Sequence, residues 1–218
     1  MKVCTDSCIL GAWFADKISG GKTILDIGAG SGLLTLMLAQ KNNSIFHAIE
    51  IDHHSFEQLQ QNISASQWNE HIIAMIGNAA SFTFPVQYDF IITNPPFYEG
   101  DLLSPITQKN FAKHHTGMTL QRLTEVIHNH LTREGSFGIL LPYHRTDEYI
   151  AIAEKKGFYL CEQLLVKQTP KHDYFRSLLH FNRQISGTVQ TNKLTIRDEH
   201  QIYTPEFTAL LKDYYLYL

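Results

Sequence analysis

No apolar run in the chain approaches the roughly 18 residues that a membrane-crossing helix needs, and the N-terminus has no charged, apolar, small-residue signal pattern. A cytoplasmic protein without a membrane partner is therefore expected. Cysteine is scarce and its count is odd, three in 218 residues, which argues against a disulfide framework. Cys4 and Cys8 are followed by Gly11 where a C-x3-C-x2-C cluster would need its third thiolate, so radical chemistry on an iron–sulfur centre is not expected. The twelve histidines, including the pairs His53-His54 and His114-His115, follow no finger spacing, and no metal is expected. Excess positive charge is missing too. With a formal net charge of −3, any contact with nucleic acid has to be a local patch rather than a global attraction. What is plentiful is apolar content, 44%, enough for one domain with a sizeable core spanning residues 1–218.

The most informative stretch is Asn94-Pro95-Pro96-Phe97, which closes the apolar run Phe90-Ile91-Ile92-Thr93. An exocyclic amine is a poor nucleophile because its lone pair is delocalised into the ring. Two acceptors gripping its N–H groups draw the nitrogen towards a tetrahedral shape. Asn94 offers a side-chain carbonyl and Pro95 a main-chain carbonyl, neither proline has an N–H to compete, and Phe97 supplies a flat stacking face. Taken alone, this is also what a proline-rich turn after a strand looks like.

Upstream, Thr23-Ile24-Leu25-Asp26-Ile27 runs through Gly28-Ala29-Gly30-Ser31-Gly32 into Leu33-Leu34-Thr35-Leu36-Met37, a strand, a tight loop and a helix. A G-x-G-x-x-G fingerprint would require glycine at 33 or 35, where Leu33 and Thr35 stand, and no Gly-Lys-Ser/Thr follows, so dinucleotide and Walker A readings both fail. What remains is a loop whose backbone approaches a ligand closely beside a helix N-terminus that favours a negative group. The next apolar segment, Ser44 to Ile49, ends in Glu50-Ile51-Asp52. Glu50 is the better candidate for accepting ribose hydroxyls, because Asp52 reads as the N-cap of a helix from His53 to Ser66. After a third strand, His71 to Ile76, the turn Gly77-Asn78-Ala79 presents polar groups to an adenine ring.

Farther on, the patterns predict a helix capped by Thr119, a buried strand Ser136–Leu141, a helix from Arg145 to Lys156 ended by Gly157, and a hairpin of Tyr159–Lys167 and Phe175–Asn182. Thr204-Pro205 opens the last helix. The expected fold is α/β and Rossmann-like, a mostly parallel seven-stranded sheet with an antiparallel edge hairpin. Two cationic clusters are candidate RNA contacts: Lys109, Lys113 and His114 with His115, following Tyr98 across a loop of about twenty residues, and Lys167, Lys171, His172 and Arg176. The first is preferred, because a loop beside the N-P-P-F strand would lie where a flipped base enters.

Together these motifs resemble the S-adenosylmethionine-dependent amino-methyltransferases of the N-P-P-F/Y type. More narrowly, Met1-Lys2-Val3-Cys4-Thr5-Asp6, Leu36-Met37-Leu38-Ala39-Gln40, Gln61-Asn62-Ile63, Leu194-Thr195-Ile196-Arg197 and Tyr214-Tyr215-Leu216 are similar to segments of the bacterial tRNA1(Val) (adenine(37)-N6)-methyltransferase family. The resemblance implies S-adenosylmethionine as cofactor and tRNA as partner, with Asn94, Pro95, Pro96 and Phe97 catalytic. It places Thr5 and Asp6 near the methionine end of the cofactor, Asp26, Gly28 and Gly30 near its amino acid moiety, Glu50 and Ile51 at the ribose, and Asn78 and Ala79 at the adenine. Relatives often have aspartate at the place of Asn78, and they carry a leader ahead of the M-K-V segment, so a leader is expected to be missing here. The motif is shared by guanine-N2 ribosomal RNA methyltransferases and by protein glutamine N5-methyltransferases, the latter usually with a preceding helical domain. An inactive RNA-binding scaffold is the alternative from outside enzymology.

Overall fold

A computed structural model of the chain describes residues 4–96, 118–185 and 187–217. Its centre is a mixed sheet of eight strands in the order β3-β2-β1-β4-β5-β7-β6-β8. The strands are β1 (Thr23–Ile27), β2 (Ile45–Glu50), β3 (Ile72–Ile76), β4 (Tyr88–Thr93), β5 (Leu131–Pro142), β6 (Tyr159–Lys167), β7 (Tyr174–Asn182) and β8 (Gln190–Thr195). Strands β1 to β5 run parallel, β7 lies antiparallel between β5 and β6, and β8 pairs parallel to β6. The sheet thus has one strand more than the seven expected. The hairpin is present, and the short, polar β8 extends the sheet beyond it.

Both faces are covered, which explains why β1 and β4 read as continuous apolar runs rather than alternating ones. Along β4, Phe90 and Ile92 join the core under helices α1 (Thr5–Ala15), α2 (Leu33–Ala39), α3 (His53–Ala65) and α6 (Pro205–Leu211), whereas Ile91 joins the core under α4 (Leu120–His130) and α5 (Thr146–Glu154). Helix starts follow local chemistry. Asp52, Thr119 and Thr204 each accept a backbone N–H of the first turn, from Ser55, Arg122 and Phe207, and Pro205 occupies the first helical position. Helix α1 is buried on every side from Cys8 to Ala15, and its Phe14 ring packs closely against β5 at Gly138, where a Cβ would come within 2.4 Å of it.

The strand order reverses between β1 and β4. In an open α/β sheet, the crevice outside the carboxyl ends at such a switch point is where ligands bind.

Candidate active site

Strand register sets the level of each expected site residue. Ile27 pairs with Ile49 on one side and with Thr93 on the other, so Gly28, Glu50 and Asn94 leave three adjacent strands at one height. Glu50 in turn pairs with Ile76, placing Gly77, Asn78 and Ala79 at the end of the next strand. The hydroxyl of Thr93 donates to the Ile27 carbonyl at 2.9 Å, tying the two strand ends that flank the switch point. The glycine loop and the first half of the N-P-P-F segment therefore leave adjacent strands at one sheet edge, on either side of the switch point. Phe97, Tyr98, Lys109, Lys113 and His114 lie outside the described residues.

The loop after β1 turns by left-handed backbone at Gly28 (φ 74°), Gly30 (φ 59°) and Gly32 (φ 85°). At Gly28, which is exposed, a Cβ would meet nothing within 4 Å, so its backbone faces open space at the cleft. Glu50 is buried and anchors the loop: its Oε2 accepts from the Gly30 N–H at 2.7 Å, and its Oε1 accepts from the Ile51 and Asp52 N–H groups at 2.9 Å each. A carboxylate has about four lone-pair sites, so one on Oε2 remains for a hydroxyl donor. Ile51 is exposed beside it. Asp26 is fully buried and accepts from the Thr35 hydroxyl at 2.7 Å and the Thr35 N–H at 3.2 Å, both through Oδ2, while Oδ1 has no partner. Burial pushes its carboxyl up to about 7; the two Thr35 bonds oppose that rise and the Glu50 charge adds to it. Asn78 is exposed and its Oδ1 accepts from the Ala80 N–H at 3.0 Å, closing its own turn; Ala79 is buried behind it.

Asn94 is held by a residue with no signal of its own in the sequence. Its Nδ2 donates to the Ser7 hydroxyl at 2.7 Å, and its Oδ1, shielded from solvent, has no hydrogen-bond partner. Because Ser7 accepts from Nδ2, the amide is turned with its oxygen away from α1. Ser7 is fixed by Asp6, whose Oδ1 accepts the Ser7 N–H at 3.0 Å and whose Oδ2 accepts from Arg176 Nε at 2.9 Å. Asp6 and Thr5 also line a cavity of about 300 Å³ with Gln168, Phe175 and Tyr203, at the ends of β6, β7 and β8. Pro95 is buried and Pro96 exposed.

The cleft fits a nucleoside carrying an amino acid tail. It has unfilled space over Gly28 and a remaining acceptor site on Glu50, while the N–H groups of Gly28, Ala29, Gly30 and Gly32 are already bonded to the Ile49 carbonyl, Glu50 and the Ala29 carbonyl and hold the loop in shape. Among the described residues, no cluster of three histidine, cysteine or acidic side chains is arranged to hold a metal, and no helix is long and apolar enough to cross a membrane.

The family model of the methyltransferase small domain matches residues 7–146. Among curated relatives, a tRNA1(Val) (adenine(37)-N6)-methyltransferase of Dyadobacter fermentans is 38% identical, the match covering 99% of this chain and 91% of the relative. One of the same name from Pectobacterium carotovorum is 35% identical over 100% of this chain and 88% of its own. Among solved structures, a methyltransferase from Pyrococcus furiosus superposes with a TM-score of 0.62 at 22% identity, covering 82% of this chain and 83% of that one. A glycopeptide N-methyltransferase in complex with S-adenosylmethionine gives 0.59 at 12% identity, covering 83% and 87%; at such identities the likeness establishes the fold. Identity above 30% along nearly the whole of both chains establishes more, and the protein belongs to the tRNA1(Val) (adenine(37)-N6)-methyltransferase family of small-domain methyltransferases.

Proposed function

We propose that this protein methylates the exocyclic N6 of an adenine in tRNA, at position 37 of a valine tRNA, using S-adenosylmethionine. The target position is taken from the names its relatives carry. The observation that carries the chemistry is Asn94: an amide with one N–H bonded to Ser7 and an acceptor without a partner, level with the glycine loop. An acceptor left without a donor out of water costs roughly 1–3 kcal/mol, and an amine N–H placed against it recovers that cost. Since the oxygen is shielded, entry of the base has to displace the groups that cover it.

In this reading, Asn94 Oδ1 and the Pro95 carbonyl accept the two N–H bonds of the amine and localise its lone pair, while Phe97 stacks on a base rotated out of its helix. S-adenosylmethionine, when bound, supplies an electrophilic methyl carbon on a cationic sulfur. Glu50 accepts a ribose hydroxyl beside Ile51, and the Gly28–Gly30 loop borders the amino acid moiety, with buried Asp26 bracing the loop from beneath through Thr35. The Asn78-Ala79 turn borders the adenine, and Thr5 and Asp6 brace the methionine end. A nitrogen gaining its fourth bond becomes strongly acidic, so no powerful protein base is required; the residues contribute position and preorganised dipoles.

The test is incubation with labelled cofactor and unmodified total tRNA, followed by nucleoside mass analysis. The expected product is N6-methyladenosine in one tRNA, with turnover reduced on the order of 10²-fold or more by Asn94→Ala. N2-methylguanosine, or label only in protein, would refute the assignment.

A further inference from the structure

Past the switch point the sheet is uneven. Thr93, the last residue of β4, pairs with Ile139, but β5 continues to Pro142 before turning, and Pro142 pairs with Arg176 on β7. At about 3.3 Å per residue, β5 and β7 stand roughly 10 Å proud of Asn94's strand. They form a wall on the side of the cleft opposite β1, β2 and β3, the side assigned above to the cofactor.

The top of this wall carries aromatic and cationic groups. Tyr143, 40% exposed, follows β5, and its ring meets that of Tyr174 at 5.5 Å with a 51° tilt. The Lys167 ammonium lies 5.9 Å from the Tyr174 ring centre, and Lys171 is exposed in the β6–β7 turn. Tyr143 is rigidly mounted: the Thr146 hydroxyl donates to its carbonyl at 2.7 Å and is itself bonded to Ser177 on β7, also at 2.7 Å. Acidic groups stand here as well: Asp173 in the turn, and exposed Asp147 and Glu148 just after Tyr143, Glu148 being paired with Arg145 at 3.0 Å. The opposite lip of the cleft, where β2 ends, holds Glu50 and exposed Asp52. What this lip has and the opposite one lacks is a pair of adjoining tyrosine rings with a lysine ammonium over one of them, a combination that suits unpaired bases and their phosphates.

We infer that Tyr143 and Tyr174, with Lys167 and Lys171, form the surface on which single-stranded RNA beside the target nucleotide docks, its bases on the tyrosines and its phosphates on the lysines. This rests on the preceding reading that RNA is the acceptor. A wall anchored to the reacting centre would also hold the strand in register with it, because Arg176, paired with Pro142 in that wall, grips Asp6, whose neighbour Ser7 holds Asn94.

Binding is measured directly, by fluorescence anisotropy of labelled unmodified tRNA, so that docking is read apart from methyl transfer. Tyr143→Ala with Tyr174→Ala is expected to weaken tRNA binding about tenfold or more, at unchanged cofactor affinity and melting temperature, and Tyr143→Phe with Tyr174→Phe to restore it. Lys167→Ala with Lys171→Ala is expected to flatten the log–log salt dependence of binding by roughly 1.5. Equal tRNA affinity in the wild type and the alanine variants would overturn the inference, as would variants that bind tRNA normally but lose a protein partner. Tight tRNA binding by the wild type without N6-methyladenosine would count against the proposed reaction and leave the docking result readable.

Discussion

Ser7→Ala removes one hydroxyl from the helix that abuts the reacting strand, and the expected consequence is catalytic. In the native arrangement the 2.7 Å bond from Asn94 Nδ2 to Ser7 Oγ selects one of the two ways the amide can lie. Without that acceptor the part-buried Nδ2 loses its partner, a cost of up to about 1–3 kcal/mol, and the amide gains by turning its donor towards the substrate side, where it opposes an incoming amine. If that whole cost appears in the barrier, turnover falls by roughly 5- to 150-fold. The decisive assay is a double-mutant cycle on kcat with saturating cofactor and tRNA. In the Asn94→Ala background Ser7→Ala is expected to do almost nothing, because the group it orients is gone. Ser7→Thr, which keeps the hydroxyl, is expected to recover most of the rate. Equal losses from Ser7→Ala in both backgrounds would refute the reasoning and leave Ser7 as a packing residue.

Two further outcomes concern stability. Asp26 has its carboxyl raised from 3.8 to about 7, chiefly by burial, so the stability it contributes is complete below the unfolded value and is lost as pH rises through about 7. The neutral amide of Asp26→Asn escapes that loss. Its stability relative to wild type, from urea unfolding without cofactor, should climb between about pH 4 and pH 7 by no more than roughly 4 kcal/mol, and a pH-independent difference would exclude the titration. Gly138→Ala places a Cβ 2.4 Å from Cε2 and Cζ of Phe14, a ring confined between Phe90 at 5.2 Å and His180 at 5.3 Å, so it cannot slide away cheaply. Overpacking of this kind costs about 1–3 kcal/mol, and a melting midpoint unchanged from wild type would show that the ring does move.

The parts legible in the sequence were those whose chemistry is local. The glycine turn, the Asp52, Thr119 and Thr204 caps and the apolar strands leave their pattern within a few residues, and the structure has each of them. Helix α1 left none: buried all round, it shows no 3.6-residue alternation, and no helix was expected from its residues. Strand β8, Gln-Thr-Asn-Lys-Leu-Thr, is short, polar and largely exposed, and it exists because the edge of β6 is there to pair with. Within the cleft, sequence position put Asp26, Glu50, Asn78 and Asn94 at strand ends but could not say what they bond to. Ser7 was missed because a serine two residues after a threonine carries no signal; only tertiary packing brings it to Asn94. His180 shows the converse. It looks like a titratable group in the sequence, yet burial between Phe14 and Phe90 lowers it to about 4 and leaves it a neutral ring in the core.

The Asp6–Arg176 ion pair joins positions 170 residues apart, and through Ser7 it governs the attitude of Asn94. On the proposed reading of Asn94, a nascent chain that has made the glycine loop, Glu50 and the N-P-P-F strand still lacks the partner that fixes Asp6 and, through it, Ser7. That partner arrives with β7, which slots between β5 and β6, so on the same reading a polypeptide truncated ahead of Arg176 is expected to keep the recognisable motifs and lose methyl transfer.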